Sequence, residues 1–242
     1  MKRFLKILFI SVVICSIAYG QFYMRRASAP QLLGKAVLHA NTDKKYVALT
    51  FDDGPNPPFT DQIIDVLDKY GVKATFFVVG QEVRKYPGTF RKIVKKGHEM
   101  GNHSWDHTRL TYKSYGYISN QISSTDKIIR DYGYVGTIYF RAPFGHKLIV
   151  LPYILNESNR LHILWDIELY DWDSPPPELM LSKLDEKISP GSIILLHDGD
   201  AVAKDGVKAP RAATVEVTKL ILEKYIKQGY KFVTISELLD AK

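Results

Sequence analysis

The sequence predicts an α/β domain built as a (β/α) barrel of about seven strands, preceded by a targeting segment. Three observations support this. Short apolar, β-branched runs alternate with amphipathic stretches about seven times, the pattern of parallel strands joined by helices. Polar residues of catalytic type (Asp52-Asp53, His103, Arg141, Asp171-Trp172, His197-Asp198) fall at or just past the C-terminal ends of different runs. An open doubly wound sheet shares the alternation, but a site assembled from several strand ends at one face favours the barrel. Finally, 242 residues, 45% hydrophobic and 24% charged, can bury a full core, and no interior stretch reads as a linker.

The N-terminus opens with the basic MKRFLK, continues through an apolar run from Ile7 to Ile17 and reaches Ala18-Tyr19-Gly20, small residues at the −3 and −1 places of a cleavage site. Residues 1–20 are therefore a signal peptide or, if uncleaved, a membrane anchor, since Ile7 to Tyr23 is nearly long enough to span a bilayer. Either places the rest of the chain outside the cytoplasm, secreted, in the cell wall or held at the outer face of the membrane. Residues 21–45 carry Pro30 and no period and read as a tether.

From residue 46 the pattern is regular. Strands are expected at Tyr46 to Phe51, Ala74 to Val79, His98 to His103, Thr137 to Arg141, His162 to Asp166, Ser192 to His197 and Lys231 to Ile235. Thr60 is expected to cap the first helix, which Gly71 follows; Pro87 opens the second and Gly97 closes it. Longer amphipathic stretches run from Ser114 to Tyr132, Pro177 to Ile188 and Arg211 to Gln228, the last ending at Gly229.

Composition excludes several classes. Part of the formal charge of +7 comes from Lys2, Arg3 and Lys6, and the remaining lysines are spread over helix faces such as Lys92, Lys95 and Lys96. Nucleic-acid binding would need a basic stripe with interleaved aromatics. The single cysteine, Cys15, excludes an intrachain disulfide and a CxxC metal site. No short repeat or low-complexity segment is present, and a monomer is expected.

Two constellations carry chemistry. In Tyr46 to Pro55, YVALTFDDGP, a strand expected to be buried on both faces ends at two adjacent carboxylates. Neighbouring side chains on a strand point to opposite faces, so Asp52 and Asp53 can share a site only if the backbone leaves strand geometry there; Gly54-Pro55 allows that. Two buried charges need a cation, an arginine or water to receive them. The second constellation is Asn102 to His107, NHSWDH. Imidazoles four residues apart lie roughly 13 Å apart along a strand but about 6 Å apart at Cβ on a helical turn, so only a turn lets both hold one ion. With Asp53 as third ligand, two His and a carboxylate leave positions open for water and substrate, the catalytic type of metal site.

TFDDGP, HSWDH, RAPFG, ELYDW and LLHD, in that order, resemble the five motifs of the polysaccharide deacetylases, the NodB homology domain of carbohydrate esterase family 4. The resemblance covers roughly Tyr46 to Leu239, so residues 46–242 are expected to form the catalytic domain as a distorted, NodB-like (β/α) barrel. It implies removal of acetyl groups from N-acetylated sugars of chitin or peptidoglycan, or of O-acetyl groups from xylan. One divalent metal is implied, zinc first, with Co, Mn, Ni or Fe also accepted by this ligand set. It further implies that Asp53, His103 and His107 bind the metal and that Asp52 is the general base. The metal and a backbone N–H at Phe144 would hold the oxyanion, and His197 would protonate the leaving amine. Arg141 would orient Asp52, Asp171 would keep His197 charged, and Trp172 and Leu196 would wall the acetyl pocket.

Two places depart from the family pattern: Glu168 stands where the fourth motif commonly begins with Asp, and Phe144 where many relatives carry Tyr. His39, His98, His146 and His162 match no motif and read as structural, and Asp198 and Asp200 as ordering a loop. Tyr112, Tyr115 and Tyr117 could stack on sugars or pack a helix start. The rival classes are a non-haem iron oxygenase, which gives Asp52 no task; a catalytically silent carbohydrate-binding barrel; and an amidase of small cytoplasmic substrates, which the export segment disfavours.

Overall fold

The computed structural model describes residues 2–24, 30–31, 33–200 and 210–241; residues 25–29 and 32 of the expected tether lie outside them. Nine strands are described: β1 (Ala36–Val37), β2 (Tyr46–Asp52), β3 (Thr75–Val78), β4 (Glu99–Asn102), β5 (Tyr139–Phe140), β6 (His162–Ile163), β7 (Ile167–Glu168), β8 (Ile193–His197) and β9 (Lys231–Phe232). Eight form a parallel path in the order β1-β6-β5-β4-β3-β2-β8-β7, and β9 pairs with the start of β2. Among the described residues β1 and β7 do not pair with each other, so the barrel is open along one seam.

All seven expected strands are present. The two additional ones, β1 and β7, have two residues each. β1 falls inside the expected tether: it pairs with β6, and His39 Nδ1 bonds Asp166 Oδ2 at 2.8 Å, so the chain is part of the sheet about ten residues before Val47.

The long β2 shows how the layers are made. Val47, Leu49 and Phe51 face outward into the main core, with residues such as Ile63, Ile64, Ile221 and Leu222. These come from α2 (Phe59–Lys69) and α8 (Ala212–Lys227). Ala48 faces the barrel interior with Phe77, Ile163 and Ile193. Each fully buried aliphatic or aromatic side chain contributes about 1.5–3 kcal/mol of transfer free energy. Thr50 and Asp52 share Ala48's face by the two-residue period, which aims the first carboxylate inward.

The remaining helices are α1 (Lys2–Met24), α3 (Gly80–Lys85), α4 (Pro87–Lys95), α5 (Tyr115–Asp131), α6 (Val150–Glu157), α7 (Pro177–Asp185) and α9 (Ile235–Asp240). Pro87 opens α4 as expected, and Gly97 ends its turn at φ +76°, where a side chain would be strained. Ser114 caps α5, accepting from the Tyr117 N–H. Thr60 is not a cap: it lies inside α2, whose N-cap is Pro58, and its hydroxyl donates instead to Asp198 Oδ2 at 2.6 Å, beyond β8. No helix among the described residues is long and apolar enough to cross a membrane.

Candidate active site

The register gathers the site. Asp52, last in β2, lies opposite Phe77 of β3 and His197 of β8, so the first carboxylate and the last imidazole of the sequence reading end side by side. Asp53 then turns to φ +75°, leaving strand geometry as the paired carboxylates require. Gly54 follows because nothing larger fits: a Cβ there would stand 1.9 Å from Asp198 Oδ2.

His103 and His107 come together on a turn that is not helical. Ser104 and His107 take φ +68° and +58°. Asn102 Oδ1 accepts from the Ser104 N–H at 2.8 Å, Ser104 Oγ from the His107 N–H at 3.1 Å, and Gln121 Oε1 on α5 from the Trp105 N–H at 2.8 Å. The rings end with centroids 4.9 Å apart. Asn102, buried, also donates to Ile122 O and Asp126 Oδ1. Asn102 and Gln121 are thus positioning residues to which the sequence reading gave no task; a polar residue on an otherwise core-facing helix face was the available sign for Gln121.

Asp53 Oδ1, buried and without a hydrogen-bond partner, lies 3.4 Å from His103 Nε2 and 3.1 Å from His107 Nε2. One ligand atom from each of Asp53, His103 and His107 falls within 4.8 Å of the others, and all three residues are buried. Because Arg141 O can only accept, His103 donates from Nδ1 at 2.8 Å and keeps its Nε2 lone pair for the site. Burial disfavours the Asp53 carboxylate, but His107, His103 and His197 around it hold its pKa well below the usual range. Burial works against a charged His103 and the facing Asp52 and Asp53 overcome it, so its pKa is raised; at His107 burial wins and the pKa falls. The donor set and this negative field fit a divalent cation.

Two buried ion pairs flank that cradle. Arg141, fully buried, donates from Nη1 to Asp52 Oδ1 at 2.7 Å and to Thr50 Oγ1 at 2.8 Å. Its other nitrogens bond Ile163 O and Leu164 O, with its guanidinium 4.0 Å from the Phe77 ring centroid. On the other side His197 Nδ1 bonds Asp171 Oδ1 at 2.8 Å, while Asp171 Oδ2 accepts from the His197 N–H and from Thr214 Oγ1. Burial would lower His197, but Asp171, and then Asp53 and Asp52, push its pKa up to about 9.

A cavity of 410 Å³ joins these groups, lined by Asp52, Asp53, His103, His107, Phe144, Trp165, Glu168, Trp172, Leu195, His197, Asp200 and Arg211. Arg141 and Asp171 stand behind Asp52 and His197, and one residue expected on the wall is missing. Leu196 is fully buried in the main core, and Leu195 lines the cavity in its place, because alternate side chains of β8 face opposite ways and His197 shares its face with Leu195. Glu168 and Asp200 line the cavity rather than standing apart from it. Asp198 does order its loop, taking the Thr60 hydroxyl; burial raises its pKa to about 7. Arg211, which bonds Gly199 O and Trp172 O, was illegible, since an arginine at a helix start carries no motif. His98 and His162 are structural, accepting from the Ala74 and Ala142 N–H groups, and burial lowers them to about 4 and about 3.

The polysaccharide deacetylase family profile matches residues 39–161. A peptidoglycan-N-acetylglucosamine deacetylase of Listeria monocytogenes is 37% identical over 84% of this chain, which spans 40% of that protein's length. One from Bacillus cereus is 34% identical over 83% of this chain and 91% of its own. Among solved structures, a carbohydrate esterase family 4 pseudoenzyme from Bacillus anthracis superposes with a TM-score of 0.78 at 29% identity, covering 87% of this chain and 71% of that one.

Proposed function

Because the chain belongs to the polysaccharide deacetylase family, we propose that it is a metal-dependent hydrolase removing acetyl groups from an N-acetylated polysaccharide of the peptidoglycan or chitin type. The observation that carries this reading is a cation cradle flanked by two differently held proton carriers, Asp52 on Arg141 and His197 on Asp171. Asp53, His103 and His107 would hold one divalent ion, zinc or a first-row neighbour, which when bound supplies Lewis acidity to an acetyl carbonyl and to a water.

The chain's own residues divide the proton work. Arg141 occupies Asp52 Oδ1, so Oδ2 takes the proton as the water oxygen bonds to the carbonyl carbon. The Phe144 main-chain N–H donates to the developing oxyanion, and Trp172 with Leu195 walls the acetyl methyl. Asp171 engages His197 Nδ1, leaving the Nε2 proton for the departing nitrogen as the C–N bond breaks. Acetate and a free amine leave, and transfer of the Asp52 proton to His197 restores both groups.

Residues 46–242 would form the catalytic domain, working outside the cytoplasm after export through residues 1–20. N-terminal sequencing of exported protein, with Gln21 as the expected first residue, tests the export step. Acetate release from peptidoglycan, chitooligosaccharides and acetylated xylan, before and after chelation and metal return, tests the reaction. Metal-dependent release from the first two is expected. Release from xylan alone would make this an O-acetyl esterase, and release from none would make it catalytically silent.

A further inference from the structure

We propose that Arg109 is a positioning residue for the reaction: by covering the Phe144 ring it keeps the main-chain N–H assigned to the oxyanion in register with the metal cradle. The inference rests on the deacetylase reading and adds to it a residue that lies in none of the five motifs. Phe144 takes φ +61° and ψ +11° in the turn Pro143–Gly145, a left-handed conformation that a residue with a side chain holds only where its surroundings impose it. Backbone bonds close that turn: the Gly145 N–H donates to Ala142 O at 2.8 Å and the His146 N–H to Pro143 O at 3.2 Å. They fix the path of the chain but leave the ring outside the core, 41% exposed and lining the reaction cavity. With no phenolic hydroxyl, this side chain is anchored through its ring alone.

Two contacts anchor it. The Phe144 ring meets His107 at 60°, with centroids 4.7 Å apart, and Arg109 Cζ lies 4.7 Å from the Phe144 centroid. Arg109 is exposed and makes no hydrogen bond or ion pair among the described residues, so its contact is with the ring. Its chain neighbours explain why it stays there. The His107 N–H is held by Ser104 Oγ and the Thr108 N–H by Asp106 Oδ1 at 2.9 Å, while Leu110 is buried in the same apolar cluster as Ala142, beside the turn. Position 109 is thereby carried across the segment that bears Phe144. An arginine suits the place, since a guanidinium can cover a ring while its N–H groups stay in water. The order Arg109, Phe144, His107 ties the oxyanion donor to a metal ligand through one aromatic ring. A donor that serves the transition state loses effect steeply when misplaced, by about 10²-fold for 1 Å. A ring free to swing would therefore lower turnover without weakening ground-state binding.

The test uses the full, metal-loaded chain and its Arg109→Ala and Arg109→Lys variants, each also in a Phe144→Leu background. Acetate release is followed on whichever of chitooligosaccharide and peptidoglycan strands the wild type cleaves faster, beside metal content and the inhibition constant of a phosphonate mimic of the tetrahedral intermediate. In Arg109→Ala, metal content should stay as in the wild type and KM within about twofold, while kcat falls about three- to tenfold and the inhibition constant rises by the same factor. Arg109→Lys, which keeps a cation over the ring, should recover most of the loss. With the ring already removed in Phe144→Leu, Arg109→Ala should cost nothing further. Unmoved kcat and inhibition constant overturn the inference. So does a raised KM at unchanged kcat, which would make Arg109 a substrate contact, and so does loss of metal, which would place its effect on His107. A full additional loss in the Phe144→Leu background overturns it as well, and each of these leaves the deacetylase reading standing. No acetate from either substrate with the wild type overturns both.

Discussion

Asp52 and Asp53 are neighbours in sequence with different surroundings, and the difference is made by one residue turning to φ +75°. Asp53 faces two imidazoles and Asp52 faces a guanidinium. Replacing a ligand should remove the metal: Asp53→Ala and His103→Ala are expected to show metal content well below one per chain by elemental analysis, since losing one of three protein ligands leaves a poor site. His197 makes a separate pH prediction. Its pKa is raised to about 9, so it is protonated at neutral pH, and the acid function proposed for it would be lost as pH rises through that value, or somewhat lower once a cation stands beside Asp53. In Asp171→Asn the ion-pair partner is gone, and the alkaline limb of kcat/KM should shift by at least about one pH unit towards acid. An unmoved limb in a folded variant would detach His197 from the acid role. Folding linkage has the same sign: the His197–Asp171 pair stabilises fully below the ordinary histidine pKa and loses that contribution as pH rises through about 9.

At the scale of elements, Leu195 and Leu196 occupy successive positions of β8 and different worlds. Leu196→Ala is expected to destabilise the fold by about 2–5 kcal/mol in denaturant titration, as buried leucine deletions do. Leu195→Ala should cost less stability and raise KM, since its side chain lines the cavity. The reverse pattern would mean that the face of β8 had been misassigned. Legibility follows the same physics. Long β-branched runs such as Val47 to Phe51 carry a period and were readable, as was Asp53's departure from the strand, because adjacent carboxylates cannot otherwise share a site. β1 and β7 were not readable because neither has a run of its own: β1 lies in the aperiodic stretch before Tyr46, and β7 follows directly on the run from His162 to Asp166. Thr60 looked like a cap because its neighbourhood signals a helix start, yet its hydroxyl is taken by Asp198, 138 positions away. The Leu195 and Leu196 assignment failed because a fully apolar run conceals which face is which.

Over the whole molecule, the open seam between β1 and β7 distorts the barrel while the strand ends from β2, β4 and β8 still converge. Five motifs scattered from Thr50 to Asp198 become one cavity because parallel strands all end at the same face. Motif order was therefore enough to foresee which residues meet, although not Arg211, which lies outside the five motifs and just before α8. The central claim is that this cavity separates holding a cation from moving protons. The most direct test is the turnover of Asp52→Asn, on protein verified as folded and fully metal-loaded, with an N-acetylated glycan as substrate. The expected result is unchanged metal content with kcat lower by about 10²- to 10⁴-fold, the usual contribution of a general base; wild-type turnover, or loss of the metal, would contradict it.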